Sequence, residues 1–262
     1  MHDVSFRMKA EHKHAGSASA CPDAAAQVHD KVVSLLLKEK PGYLLDAPAG
    51  EGAFAVRARE LGYAVRCGDI DVSRFKANGI ECDRIDLNTR WPYDDHLFDY
   101  VVAIEAIEHL ENPWHIAREA NRVLKPGGKL IMTTPNILTI KSRLSYLLYG
   151  YPNYFHYMIE QHRDHRDESP IDHINPVGFL ELRHVLSRNG LQIETIETNR
   201  YVKRHSLFYQ LLRLLLHSRG QSHVRNDKAK AAVRQALLSP VLLFGEVLVL
   251  KARKVSGVVE GS

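Results

Sequence analysis

Short apolar runs alternate with helix-patterned runs along most of this 262-residue chain. That alternation predicts an α/β fold, a parallel sheet with helices on both faces. Three observations carry the expectation. The run Tyr43-Leu44-Leu45-Asp46 ends in an acid, passes a tight turn through Gly50 and Gly52, and enters a helix-like run to Leu61. Glycines there let the backbone approach a ligand closely, and free N–H groups at the helix start can face its polar groups. The run Phe98 to Glu105 is nearly continuous apolar, as a strand buried on both faces should be. Finally, Asp46, Gly50, Gly52, Asp69, Asp86 and Glu105 all fall at the carboxyl ends of expected strands. Doubly wound sheets bind their ligands on that rim.

The elements follow in order. Residues 1–22 mix His, Lys, Ser and Ala without periodicity and read as a disordered lead-in to a single domain over 23–262. From Asp23, residues Ala26, Val28, Val32, Val33, Leu36 and Leu37 favour one helical face, and Pro41-Gly42 ends it. Ala64 to Asp69 reads as the second strand. A carboxylate at its tip offers two acceptor oxygens, which suit the paired hydroxyls of a ribose; Asp71 is the rival, two residues further on. Arg84 to Asn88 reads as a short third strand. There Asp86 could accept from an adenine amino group while Leu87 covers the ring, or Asp86 is simply a turn residue before Trp91-Pro92. A helix is expected from Pro113 to Leu124. The tight turn Lys125-Pro126-Gly127-Gly128 then leads into a fifth strand over Lys129–Thr134. After Asn136 the alternation lapses until a helix near Pro176 to Arg188, so 137–175 reads as a helical insertion. Leu191–Thr198 is the sixth strand, 201–240 a second insertion with two helices, and Glu246–Lys254 the last strand.

Bulk properties narrow the class. The chain is long enough to bury a full core in one domain. Thirty-five basic against 31 acidic residues give a net charge of +4. That is too mild to announce nucleic acid, although it permits an anionic partner. Cys21, Cys67 and Cys82 have no metal or disulfide spacing, which fits a reducing compartment. The N-terminus lacks an apolar signal segment. The apolar stretch Leu237–Leu250 is too short for a span and contains Pro240, Gly245 and Glu246. A soluble, cytoplasmic protein is expected.

With these residues assembled, the chain resembles the class I S-adenosylmethionine-dependent methyltransferases. The likeness rests on "LLDAPAGEG", "CGDID", "IDL", "FDYVVAIEAIEHLENP", "LKPGGKLIMTTPN" and "HINPVGFLELRHVLSRNGL", from about Tyr43 to Gly190 and more loosely to Lys254. Within that class it is most similar to the bacterial small-molecule branch of ubiquinone-type and polysaccharide-cluster enzymes. The resemblance implies a Rossmann-like, doubly wound, seven-stranded sheet whose last strand is antiparallel, with S-adenosylmethionine as cofactor. It further implies that Asp46, Ala47 and the Gly50–Gly52 backbone hold the amino-acid end of the cofactor. Asp69 would take the ribose, Ile70 and Leu87 the adenine faces, Asp86 the adenine amino group, and Glu105 a place beside the sulfonium. One departure is visible: Pro48 stands where the family's first loop glycine is usual. Proline fixes φ near −65°, so the position cannot need positive φ, and the loop is expected to keep its shape.

If the acceptor is a hydroxyl, a base must take its proton, and histidine suits neutral pH. His109, just past the fourth strand, is the first candidate and His173 the second; each could equally hold loop backbone or cap a helix. His156, His162, His165 and His173 could suggest a metal, but their spacing lacks a helical pair with a clear third ligand, and no metal is expected. A polar, aromatic lid over an acceptor pocket fits the first insertion better. The second insertion carries apolar bulk between Lys203, Arg204, Arg213, Arg219 and Arg225. Packing on its own domain or a dimer mate and peripheral contact at the inner face of an anionic membrane both stay open for residues 201–238, as does monomer or dimer. The expected acceptor is a small molecule, or a saccharide or lipid-linked one, and no nucleic acid is expected. Two other classes remain: a nicotinamide-dependent oxidoreductase, which would share the first loop and Asp69, and a non-catalytic S-adenosylmethionine-binding module.

Overall fold

The computed structural model describes residues 22–153, 155, 173–202, 205–207, 209–211, 214 and 228–255. The expected lead-in falls almost wholly outside them, as do His156, His162, His165 and much of both insertions. The elements in order are α1 (Pro22–Leu36), β1 (Tyr43–Asp46), α2 (Ala53–Glu60), β2 (Ala64–Asp69), β3 (Cys82–Arg84), β4 (Phe98–Ala103), α3 (Pro113–Val123), β5 (Leu124–Pro135), α4 (Ile140–Tyr149), α5 (Phe179–Arg188), β6 (Leu191–Thr198), α6 (Lys228–Leu237), α7 (Pro240–Phe244) and β7 (Val247–Lys254). The seven strands lie in the order β3-β2-β1-β4-β5-β7-β6. The first five pair in parallel. Strand β7 runs antiparallel to both β5 and β6. This is the doubly wound sheet expected, with the insertions after the fifth and sixth strands.

Period-2 alternation decides which residues face which helices. Leu44, Tyr100, Val102, Ile131, Val247 and Val249 pack with Val28, Val32, Leu35 and Leu36 of α1 and Phe54 and Ala58 of α2. Their neighbours Leu45, Val101, Ala103, Leu130, Met132, Leu248 and Leu250 face the opposite layer, with Ile116 and Ala120 of α3 and Leu182 and Val185 of α5. A one-residue slip would exchange these two sets, so the register is fixed by burial. In α1 the buried residues Val28, Val32, Leu35 and Leu36 follow the i, i+4, i+7, i+8 pattern, and Leu37, expected on that face, is exposed.

Two local readings need correction. The third strand is Cys82–Arg84 rather than Arg84–Asn88, because Asp86 closes a turn of its own: its carboxylate accepts from the Asn88 N–H at 2.8 Å, and the Thr89 N–H donates to the Asp86 carbonyl. The turn Lys125–Gly128 does not precede the fifth strand but interrupts it. Phe98 pairs with Leu124 and Tyr100 with Lys129, so the extra residues form a bulge within the ladder. The insertion after β5 carries a helix where it is described, as expected. Thr139 caps α4 by accepting from the Ser142 N–H, and Gly150, in the left-handed region, ends it.

Candidate functional site

The sheet order reverses between β1 and β4, the topological switch point where such folds open a crevice at the carboxyl ends. A cavity of about 260 Å³ lies there, lined by Asp46, Pro48–Glu51, Asp69, Ile104 and residues of α1 and α2, His29 among them. The Ala47–Pro48 peptide is cis. Gly50 has φ +53° and Gly52 φ +86°, both in the region that favours glycine. The two glycines do different work. A Cβ on Gly50 would meet nothing within 4 Å, so its face is open to a ligand. A Cβ on Gly52 would meet Phe75 and Ala77 at 2.7 Å. The tight constraint at Gly52 thus comes from the protein's own loop.

The acids on the rim differ sharply in how they are held. Asp69 accepts from the Gly50 N–H at 2.8 Å through one oxygen and from the Asp71 N–H at 3.0 Å through the other. It thereby fixes the open glycine, and each oxygen keeps a second lone pair. Asp46 is fully buried and its Oδ2 has no hydrogen-bond partner. Desolvation, reinforced by the Asp69 charge, pushes its carboxyl well above the usual range. Glu105 has φ +48°, a strained conformation for a side-chain-bearing residue. Thr133 holds it there: its hydroxyl accepts from the Glu105 N–H at 2.9 Å and donates to Glu105 Oε1 at 2.7 Å. Burial raises Glu105 to about 7 against the help of Thr133, and the charge of Glu246 adds to the rise.

The next turn places a second group of polar residues. Glu108 is fully buried and neither carboxylate oxygen makes a hydrogen bond. Desolvation and then Glu105 raise it strongly; the Thr134 hydroxyl works the other way as a neighbouring dipole, short of hydrogen-bond geometry. His109 meets His173 edge-on, with ring centroids 4.7 Å apart. Both expected bases are thus brought together although 64 positions of chain separate them. The returning end of the first insertion is tied down by Asn175, whose N–H donates to the Glu108 carbonyl at 2.9 Å and whose amide donates to the Leu110 carbonyl.

Like Gly52, Glu105, His109 and His173, the remaining expected residues lie outside that cavity's lining. Ile70 is exposed, 52%, in the loop after β2, free to cover a ligand ring. Leu87 is buried in the main core. Asp86 uses one oxygen on its own turn through Asn88. Ala47 is buried behind the loop and donates its N–H to the Val102 carbonyl. Sequence reasoning missed His29, Glu108, Thr133 and Asn175. His29 follows Val28 on an amphipathic helix and carries no motif, and burial followed by the Arg57 charge lowers its pKa.

The cavity fits a cationic amino-acid ligand on the chain's own terms. The buried, unpartnered Asp46 Oδ2 needs a donor, and the open Gly50 face admits one.

Comparison with known proteins agrees. The methyltransferase-domain model matches residues 23–196, more than half of the chain. The chain is 28% identical over 121 residues to 27-O-demethylrifamycin SV methyltransferase of Amycolatopsis mediterranei, covering 42% of this chain and 44% of that one. It is 27% identical over 103 residues to a demethylmenaquinone methyltransferase of Bacillus cereus, covering 37% and 44%. It therefore spans less than half the length of these relatives. Among solved structures, a SAM-dependent methyltransferase of Archaeoglobus fulgidus superposes with TM-score 0.53 at 17% identity, over 86% of this chain and 94% of that one. The [4+2]-cyclase SpnF superposes with TM-score 0.54 at 19% identity, over 90% and 83%. Family membership removes the nicotinamide alternative. The chain belongs to the methyltransferase-domain family, with the class I fold and S-adenosylmethionine as its cofactor.

Proposed function

We propose that this protein O-methylates a hydroxyl of a small molecule, with His109, seconded by His173, holding or removing the acceptor proton. The observation that carries this is the convergence of the two imidazoles at 4.7 Å on the turn that begins at Glu105. The donor supplies an already activated methyl on a sulfonium, so the transfer is an in-line displacement. The protein's main task is then alignment, which can contribute roughly 7–11 kcal/mol. Asp46 and the Gly50 face hold the amino-acid end, Asp69 the ribose, Ile70, Asp86 and Leu87 the adenine, and Glu105 the sulfonium side. The name of the rifamycin relative, which specifies an oxygen position, supports an oxygen acceptor.

A lipid-linked or saccharide acceptor is the variant favoured by one surface feature. Tyr146, Leu147, Leu148 and Tyr149 at the end of α4 are all exposed, and so are Leu207, Leu211 and Leu214. Such apolar side chains suit the interface of a membrane. Among the described residues no helix is long and apolar enough to cross one.

A panel of phenolic, polyol and lipid-linked acceptors, scored by mass gain and S-adenosylhomocysteine release, tests the reading. His109→Ala should lose about 10²- to 10⁴-fold in turnover on the responding acceptor, with cofactor affinity unchanged. Turnover within threefold of wild type would remove His109 from the reaction. Methyl found on carbon or nitrogen would overturn O-methylation itself.

A further inference from the structure

The amino-acid end of S-adenosylmethionine carries an ammonium and a carboxylate, yet the crevice at the switch point is lined mainly by acids. Among the described residues that line it, four have polar side chains: His29, Asp46, Glu51 and Asp69. Asp46 offers an unpartnered buried oxygen to the ammonium. Glu51 is turned to Lys76 at 2.8 Å. Three carboxylates repel a fourth brought among them, so the ligand's carboxylate needs a donor. The loop backbone has little to give. Ala49 donates its N–H to the Gly68 carbonyl, Gly50 to Asp69 and Gly52 to the Ala49 carbonyl, and Pro48 has none. His29 is the one lining side chain that can donate a hydrogen bond.

We propose that His29 donates a ring N–H to the cofactor's carboxylate and, with Asp46 on the ammonium, sets the orientation of its amino-acid end. The helix places the ring for this. Val28 and Val32, one residue before and three after, are buried against the sheet and fix α1 there. His29 itself is half-buried and meets Phe54 of α2 edge-on, with ring centroids 5.8 Å apart. Burial and then the Arg57 charge hold its pKa below the usual value, and Asp30 opposes them only in part. Near neutral pH the ring is therefore uncharged, with one N–H to give. Arg57 does not compete for the carboxylate, since Asp30 holds it at 2.6 Å. A ligand that keeps the sulfonium, ribose and adenine but lacks the carboxylate bypasses His29. The assignment does not depend on which atom of the acceptor is methylated.

The test is calorimetry on the full chain with S-adenosylmethionine and with its decarboxylated analogue, which keeps the ammonium, sulfonium, ribose and adenine. Wild type should prefer S-adenosylmethionine by about tenfold or more, the range for a hydrogen bond to a charged group. His29→Phe keeps a ring against Phe54 but removes the donor. It should weaken S-adenosylmethionine by a similar factor and leave the analogue within about threefold of wild type. His29→Gln, which retains an N–H donor, should recover most of that loss. Thermal melts without ligand check that both variants fold. A wild type that binds the two ligands equally overturns the proposal, as does a His29→Phe variant with unchanged affinity for S-adenosylmethionine. Equal losses for both ligands in His29→Phe would make the residue packing for the crevice, and the proposal would fall.

Discussion

Acids along the flanks of the sheet and the three buried acids at its carboxyl rim, Asp46, Glu105 and Glu108, are held in opposite ways. Asp83 on β3 is clamped by Arg66 through two bonds of 2.6 Å and by the Tyr93 hydroxyl, and these partners pull it below its usual range. Burial alone would raise Glu39, Asp99 and Glu119. Lys129 and Lys251 overcome it at Glu39, Lys125 and the Tyr43 N–H at Asp99, and Arg122 and the Trp91 N–H at Glu119. Asp46, Glu105 and Glu108 lie at or just beyond the ends of β1 and β4, and for them burial wins. No cation in the chain pairs with them among the ion pairs of the described residues. The difference separates two tasks. Flank acids fasten the fold, whereas Asp46, Glu105 and Glu108 have no cation beside them among the described residues, which on our reading suits them to a positively charged ligand.

Substitution should expose that difference first in stability. Glu119→Ala leaves Arg122, only 16% exposed, without its main partner. It should cost about 3 kcal/mol in urea unfolding, the lower end for a broken buried pair because Asp95 still reaches Arg122. Asp46→Asn should cost nothing or stabilise, since it removes an unpaired buried carboxylate. The pH trend follows from the sign of the shift. The folded carboxyl of Asp46 lies above its unfolded value near 3.8, so its stability penalty is absent below that pH and grows as pH rises toward the folded pKa. Asp46→Asn should flatten that part of the stability profile. Equal losses in the two variants would erase the distinction between flank and rim.

The next effect is on binding. Asp69→Ala should weaken S-adenosylmethionine by removing charge-assisted bonds worth about 1.5–3 kcal/mol each, and by freeing the Gly50 N–H that Asp69 now holds. Calorimetry with unchanged affinity would take Asp69 out of the ribose role.

The rim from β1 to β4 was far more legible in the sequence than the segments that meet it from β5 onward. From β1 to β4, each site residue closes a short local pattern, an apolar run ending in an acid or a glycine turn, and local patterns survive folding. Even there, the packing of Phe75 and Ala77 against Gly52 is a contact no linear spacing reveals. The third strand was misplaced because Asp86 prefers its own side-chain turn to the ladder. Beyond β5 the site is built by segments that meet only in three dimensions. Thr133 supporting Glu105, Asn175 clasping Leu110 and His173 against His109 link positions 28, 65 and 64 residues apart, and no periodicity encodes such meetings. Four histidines near one another in sequence lacked the spacing of a metal group, and none was expected of them. The only one described, His173, joins Glu108 and His109 instead.

The claim that the rim acids await a positive charge is tested most directly by the affinity ratio of S-adenosylmethionine to S-adenosylhomocysteine across pH 6 to 8. The two differ at sulfur, cationic in one and neutral in the other, so effects common to the amino acid, ribose and adenine cancel. Glu105, raised to about 7 by burial, is partly protonated below that pH, and binding a sulfonium beside it must release the proton. The preference for the sulfonium should therefore rise with pH, by up to about tenfold per unit below 7, and level off above it. Glu105→Gln should give a smaller ratio with no slope. A wild-type ratio that stays flat from pH 6 to 8, or a slope that survives Glu105→Gln, would contradict the assignment.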